Sequence, residues 1–182
     1  MNTERWAIDL SHSGIHFTVR HLVIAKVRGQ FSRWSGTVLV PGGDLGRASV
    51  EAVIDASSIE TGVADRDTHL RSADFLDVEH HPEITFKTLR VDAEGSARRR
   101  IVGQLTIKGV TREVSLDVEY LGVAKDPWGN ERAAFTAKTS IDRQDFGLTW
   151  NQALETGGML VGDRIEIEIE VEAVRQAAAQ VA

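Results

Sequence analysis

Residues 164–173 read RIEIEIEVEA. Ile165, Ile167, Ile169 and Val171 alternate with Glu166, Glu168, Glu170 and Glu172. Side chains of a β-strand point alternately to opposite faces, so four apolar groups look one way and four carboxylates the other. Unpaired glutamates are almost never buried, so the carboxylate face meets water. What the isoleucine face meets, packed side chains or a hollow, decides both the architecture and the use of this chain.

The same alternation recurs upstream. Ile15, Phe17, Val19 and His21 share one face of a first strand, and a long second strand over 26–40 carries Gly29 and Gly36 as bends or bulges. Pro41-Gly42-Gly43-Asp44 is a turn, and Ala48, Val50, Ala52 and Ile54 mark a third strand. Over 63–76 the period becomes helical, with Thr61 placed as N-cap, and His81-Pro82 ends the excursion. Strands resume around Ile84 and Phe86, then Gly103, Leu105 and Ile107. Gly109 turns the chain into Val114, Leu116 and Val118, and a turn at 126–130 leads to Ala133, Phe135, Ala137, Thr139 and Ile141. A Gly- and Asn-rich loop over 144–162 precedes the final strand. Eight two-faced strands with short turns predict a mainly β fold, an antiparallel sheet with one wet side. Closing it into an extended eight-stranded antiparallel β-barrel removes both the edges and the uncovered apolar face, with one helix beside it.

Length and composition set the remaining bounds. With 182 residues, 42% hydrophobic and 26% charged, the sequence predicts one domain over 1–176 and a frayed tail over 177–182. A formal net charge of −6 disfavours nucleic acid, and the one basic run, Arg98-Arg99-Arg100, reads as the mouth of a hairpin. With no cysteine there is neither a disulfide framework nor thiolate chemistry. No leader and no long apolar span are visible, so a cytoplasmic, non-membrane-spanning protein is expected.

The sequence holds no recognisable catalytic constellation. His12 and His16 share a strand face from which His21 diverges, and the rings of His80 and His81 diverge in extended chain. Neither group has the i, i+4 geometry of a helical zinc motif, so no metal ligands are assigned. Asp145-Phe146-Gly147 spells a kinase triplet without its glycine-rich or catalytic loops, and no serine sits in a nucleophile elbow.

Several stretches taken together are distinctive: IDLSHSGIHFTVRHL, VRGQFSRWSGTV, DASSIETGVADRDTHLRSADFLDVEHHPEITF, VGQLTIKGVTREVSL, IDRQDFGL and GGMLVGDRIEIEIEVEA. In this order and spacing, from about residue 6 to 174, the chain resembles the YceI-like, polyisoprenoid-binding family. The resemblance implies a lipocalin-like barrel holding a long apolar chain: an isoprenoid quinone, a polyprenyl pyrophosphate or a fatty-acid-like molecule. It implies no obligatory cofactor beyond that bound lipid, no catalysis, exchange of lipid with membranes, and a homodimer. Many relatives are exported, which the start of this sequence does not reproduce.

The residues bear on a cavity directly. Eight strands enclose a space that side chains fill or that one small ligand occupies, so the size of the inward residues decides. Ala48, Ala52, Ala133, Ala137, Gly29, Gly36 and Gly103 leave room, while Phe17, Phe31, Trp34, Phe86 and Phe135 supply apolar wall. The expected ligand-binding set is Phe17, Val19, His21, Phe31, Trp34, Phe86, Phe135, Arg143, Trp150, Met159 and Ile167. Head-group selection is assigned to a mouth formed by Arg20, His21, Arg143, Trp150, Asn151 and Gln152. Two bland readings compete: an ion pair of Arg143 with Asp142 or Asp145, and plain core packing of Phe17, Phe31 and Phe86. At the level of function, the competing readings are a metal-assisted enzyme built on the histidines and an interaction module with a solid core.

Overall fold

The computed structural model describes residues 2–177. Its strands are β1 (Thr3–Ile8), β2 (Gly14–His21), β3 (Ala25–Phe31), β4 (Trp34–Pro41), β5 (Ser49–Asp55), β6 (Ile59–Glu60), β7 (Glu83–Ala93), β8 (Arg98–Ile107), β9 (Val110–Lys125), β10 (Glu131–Asp142) and β11 (Val161–Arg175). One α-helix, α1 (Ala64–Arg71), lies between β6 and β7. The order β1-β4-β5-β7-β8-β9-β10-β11 is antiparallel throughout and closes because β1 also pairs with β11. Along the rest of β11 runs β2, followed by β3 and β6.

β1 and β2 therefore lie end to end on one edge of β11. Trp6 to Ile8 face Arg175 to Ala173, and Gly14 to His21 face Glu170 to Val161. Counted as runs around the wall, the barrel is eight-stranded, as the alternation predicts. Closure pairs β1 with both β4 and β11, whereas β3 meets β6 only at Gln30 and Phe31.

Three local expectations are corrected. The run Thr3–Ile8, without a clear alternation of its own, is a strand and closes the ring. The stretch 26–40 is two strands, broken at Ser32-Arg33 where the chain changes partners. There Ser32 N donates to Ser58 O, Arg33 N to Ser58 Oγ, and Arg33 Nε to Asp55 Oδ2 at 2.9 Å. The helix is also shorter than 63–76, and its N-cap is Val63, without a side-chain cap. Thr61 instead donates from N and Oγ1 to the buried Asp67, and Arg66 Nε donates to Thr61 Oγ1 at 2.7 Å. Gly62, at φ 84°, turns the chain before the helix begins. Of the tail read as frayed, residues 178–182 lie outside the described residues.

The inward glycines do not hollow the barrel. A Cβ on Gly29 would stand 2.3 Å from Phe17 Cζ, one on Gly103 2.4 Å from Phe86 Cζ, and one on Gly36 2.5 Å from Ile8 Cδ1. Each glycine is a seat for a large neighbour: Phe17 lies directly across from Gly29, and Phe86 diagonally across from Gly103. Gly103→Ala is expected to lower stability by about 1–3 kcal/mol through overpacking, since Lys87 O also stands 2.7 Å from the added carbon. Thermal melting of Gly103→Ala, with and without Phe86→Leu, checks this. The pair should recover stability, and a single variant melting with the wild type would contradict the seating.

Core and hollow divide along β11. Ile165, Ile167, Ile169 and Val171 stay partly accessible although they face inward, whereas Ala173 is at 0% exposure. Ala173 belongs to a packed cluster with Trp6, Val38, Val40 and Ala133. The isoleucine stripe thus begins at a hollow and ends at a plug. Outside the plug, Arg132 ties three segments together, donating to Asp9 Oδ2 (2.7 Å), Glu172 Oε1 (2.7 Å) and Asp126 Oδ2 (2.9 Å). Burial pushes the Asp126 carboxyl up, but hydrogen bonds from Asn130, Arg132 and two backbone N–H groups outweigh it and hold it at about 2.

Candidate functional site: an apolar cavity through the barrel

The alternation that sends glutamates outward sends Ile, Val, Leu and Phe inward from every strand, and the wall they form is not completely filled. A cavity of about 300 Å³ remains, with lining residues from all eleven strands. On β11 it spans Val161 to Val171, and on β8 it spans Arg99 to Ile107. At about 3.3 Å per residue these runs correspond to roughly 26–33 Å of wall. Such a volume over such a length makes a conduit for a chain, narrower than the usual small-molecule cleft.

Its chemistry is almost wholly hydrocarbon. Among lining side chains only Trp34, Arg99, Tyr120, Thr139 and Arg143 carry nitrogen or oxygen. Thr139 Oγ1 is spent on Ser115 O at 2.7 Å. Leu70, Phe75 and Leu76, from α1 and the turn after it, cover the gap beside β6 and β7.

Of the expected binding residues, Phe17, Val19, Phe31, Trp34, Phe86, Phe135, Arg143 and Ile167 line this cavity. Phe17 and Phe31 contact each other with ring centroids 5.8 Å apart. His21, Trp150 and Met159 stand off the lining. His21 pairs with Val161 at the end of β2, Met159 is 49% exposed, and Trp150 packs edge-on to His69 (4.6 Å) and against Phe75 (5.4 Å). Arg20, Asn151 and Gln152 do not line it either. Asn151 bridges Val161 with both ends of its amide, at 2.8 and 3.0 Å.

Arg143 has a different task from the one assigned to it. It is 2% exposed, and its guanidinium makes four hydrogen bonds and one ion pair. Nε donates to Gly162 O (2.9 Å), and Nη1 to Leu148 O and Trp150 O (2.9 Å for the latter). Nη2 donates to Val161 O (3.4 Å) and stands 3.2 Å from Asp163 Oδ1. Burial pushes its pKa down, and Asp163 and Asp142 oppose the shift. The ion-pair partner is Asp163 and neither Asp142 nor Asp145. Arg143 pins the 144–162 loop to β11, and its charge is met there by backbone carbonyls and Asp163.

The histidines do not assemble into a site. Among the described residues the one group placed to hold a metal is Asp9, His12 and Glu172. Arg132 Nη1 already occupies Asp9 Oδ2 and Glu172 Oε1, and His12 Nδ1 sits 3.0 Å from Asp9 Oδ2.

A closed eight-stranded antiparallel barrel with an unfilled apolar lumen and one flanking helix defines a lipocalin-type barrel. The chain belongs to the YceI-like domain family, which it matches over residues 6–173. The UPF0312 protein of Staphylococcus epidermidis is 37% identical over 169 residues, covering 92% of this chain and 96% of the relative. The Campylobacter jejuni YceI protein has a solved structure with TM-score 0.72 and 30% identity, covering 87% and 90% of the two chains. Two more distant structures share the fold. BcnA of Burkholderia cenocepacia has TM-score 0.77 at 22% identity, covering 91% and 98%. A polyisoprenoid-binding domain from Saccharophagus degradans has TM-score 0.67 at 15% identity, covering 94% and 98%.

Proposed function

We propose that this barrel binds one long-chain isoprenoid-type lipid in its lumen and stores or carries it without catalysis. A single observation carries the reading: an unfilled, hydrocarbon-lined cavity inside the barrel takes lining residues from every strand of the wall. Burying about 400 Å² of ligand surface at about 25 cal/mol per Å² supplies about 10 kcal/mol before ordering costs, enough for submicromolar binding with few polar contacts. Family membership and the polyisoprenoid-binding name of one structural neighbour support the same class of ligand. Native mass spectrometry of the purified protein tests it, with one apolar molecule per barrel as the expected result.

The lumen fills and empties at a membrane surface, on this reading, through the β2–β3 hairpin. At its tip Leu22, Val23 and Ile24 are exposed, Ile24 by 85%, and Met159 adds a fourth apolar group on the adjoining loop. Leu22 and Val23 take φ of 54° and 67°, a conformation that costs L-residues about 1–2 kcal/mol each. Arg20, Lys26 and Arg28 flank the tip, and no carboxylate occurs between residues 14 and 31 of a chain whose net charge is −6. Val19 and Val161, beside the tip, line the cavity. Apolar tip plus cationic collar fits an anionic bilayer. Ile24→Asp is expected to weaken sedimentation with phosphatidylglycerol vesicles about tenfold or more. Unchanged sedimentation would remove the hairpin from this role.

A further inference from the structure

We infer that Arg99 anchors an oxyanion head group, a carboxylate or a phosphate, on the Nε/Nη2 edge of its guanidinium. This rests on the lipid-binding reading above and narrows it to anionic amphiphiles.

Arg98, Arg99 and Arg100 follow one another where the β7–β8 hairpin closes, and strand alternation separates their fates. Arg100 is exposed and meets Glu94 Oε1 at 2.9 Å and Asp117 Oδ1 at 3.3 Å. Arg99 turns inward with Ile101 and lines the cavity opposite Val118. There Nη1 donates to Gly95 O (2.6 Å), Arg98 O (2.8 Å) and Ser96 O (3.3 Å), which fixes the plane of the guanidinium. No carboxylate approaches it among the described residues. Its Nε is buried with no hydrogen-bond partner, the one such side-chain nitrogen or oxygen among those residues. Nη2 likewise makes no hydrogen bond there.

Nε–H and the adjacent Nη2–H form one edge of the planar fork, spaced to meet two oxygens of one carboxylate or phosphate. A quinone carbonyl or an alcohol offers one neutral oxygen and satisfies half of that edge. Buried donors in folded proteins are nearly always paired, so an orphan donor within a side chain that lines the cavity is one a ligand acceptor would satisfy. Arg143, the other arginine on this wall, differs: it makes four hydrogen bonds to backbone carbonyls and an ion pair with Asp163. Tyr120, two residues beyond Val118 on β9, lines the same part of the cavity, and its hydroxyl makes no hydrogen bond among the described residues. It stands as a second donor.

Three probes of equal chain length, hexadecanoic acid, hexadecyl phosphate and hexadecan-1-ol, are titrated at pH 8 against wild type, Arg99→Met, Arg99→Lys and the outward control Arg100→Met. Wild type and Arg100→Met are expected to prefer at least one of the two anions over the alcohol by about 10- to 100-fold, the range for charge-assisted hydrogen bonds to a buried site. The preferred anion identifies the head group. Arg99→Met should erase that preference while binding the alcohol as the wild type does. Arg99→Lys, which keeps the charge and loses the fork, should retain only part of it, and this variant decides the matter if Arg99→Met fails to fold. Equal binding of alcohol and both anions by wild type, or an undiminished preference in Arg99→Met and Arg99→Lys, overturns the assignment and leaves the lipid reading standing. Failure of wild type to bind any of the three overturns both.

Discussion

Replacing Ala137 with phenylalanine is expected to reduce lipid affinity more than 100-fold without lowering the melting temperature. Ala137 lies between Val118 and Ile169 on the inner face and lines the conduit. A benzyl group there occupies space that a ligand chain would otherwise use. If the ring blocks about a third of the contact surface, the lost transfer free energy is about 3 kcal/mol. The stability readout separates the two answers to the question posed by the isoleucine stripe. In a filled interior the same substitution forces neighbours off their rotamers and costs about 1–3 kcal/mol. In a hollow it meets open space and is neutral or stabilising. Lys138→Phe, on the exposed face of the same strand, should leave affinity unchanged. A marked fall in melting temperature for Ala137→Phe, with affinity intact, would mean that the lumen is packed.

The second large effect belongs to Arg143. Arg143→Met leaves four backbone carbonyls and Asp163 without their shared donor and is expected to cost about 3–5 kcal/mol. For a domain of this size that is a fall of roughly 6–20 °C in melting temperature. Hydrogen exchange should rise first in the 144–162 loop, where Arg143 holds the Leu148 and Trp150 carbonyls against β11. Affinity for anionic and neutral chains should change in parallel. Selective loss of anion binding with an unchanged melting temperature would return Arg143 to the head-group role.

Much of the wall was legible in the sequence because strand alternation is local. The period of two in residues 165–172 already names which side chains face the lumen, and Phe17, Phe31, Phe86, Phe135 and Ile167 are found there. What was not legible depends on partners far along the chain. Thr3–Ile8 becomes a strand only because Arg175 to Ala173 lie beside it. The break at Ser32-Arg33 exists because Ser58 and Asp55 reach that point from another run. Gly29 and Gly103 promise empty space in a one-dimensional reading, whereas in the folded wall Phe17 and Phe86 cover them. Arginines show the limit most clearly: Arg143 lines the cavity as expected, but its hydrogen bonds go to backbone carbonyls of the 144–162 region. Arg99, dismissed with its neighbours as a hairpin mouth, holds the orphan donor. A basic triplet on a strand must send its middle member to the opposite face, and that signal was available in the sequence.

Native mass spectrometry of protein purified without detergent or organic solvent measures the central claim most directly. The account predicts a species heavier than the polypeptide by the mass of one long-chain apolar molecule, released intact on collisional activation. Bare polypeptide in repeated preparations, with no mass added after incubation with prenyl or long-chain acyl probes, would contradict it.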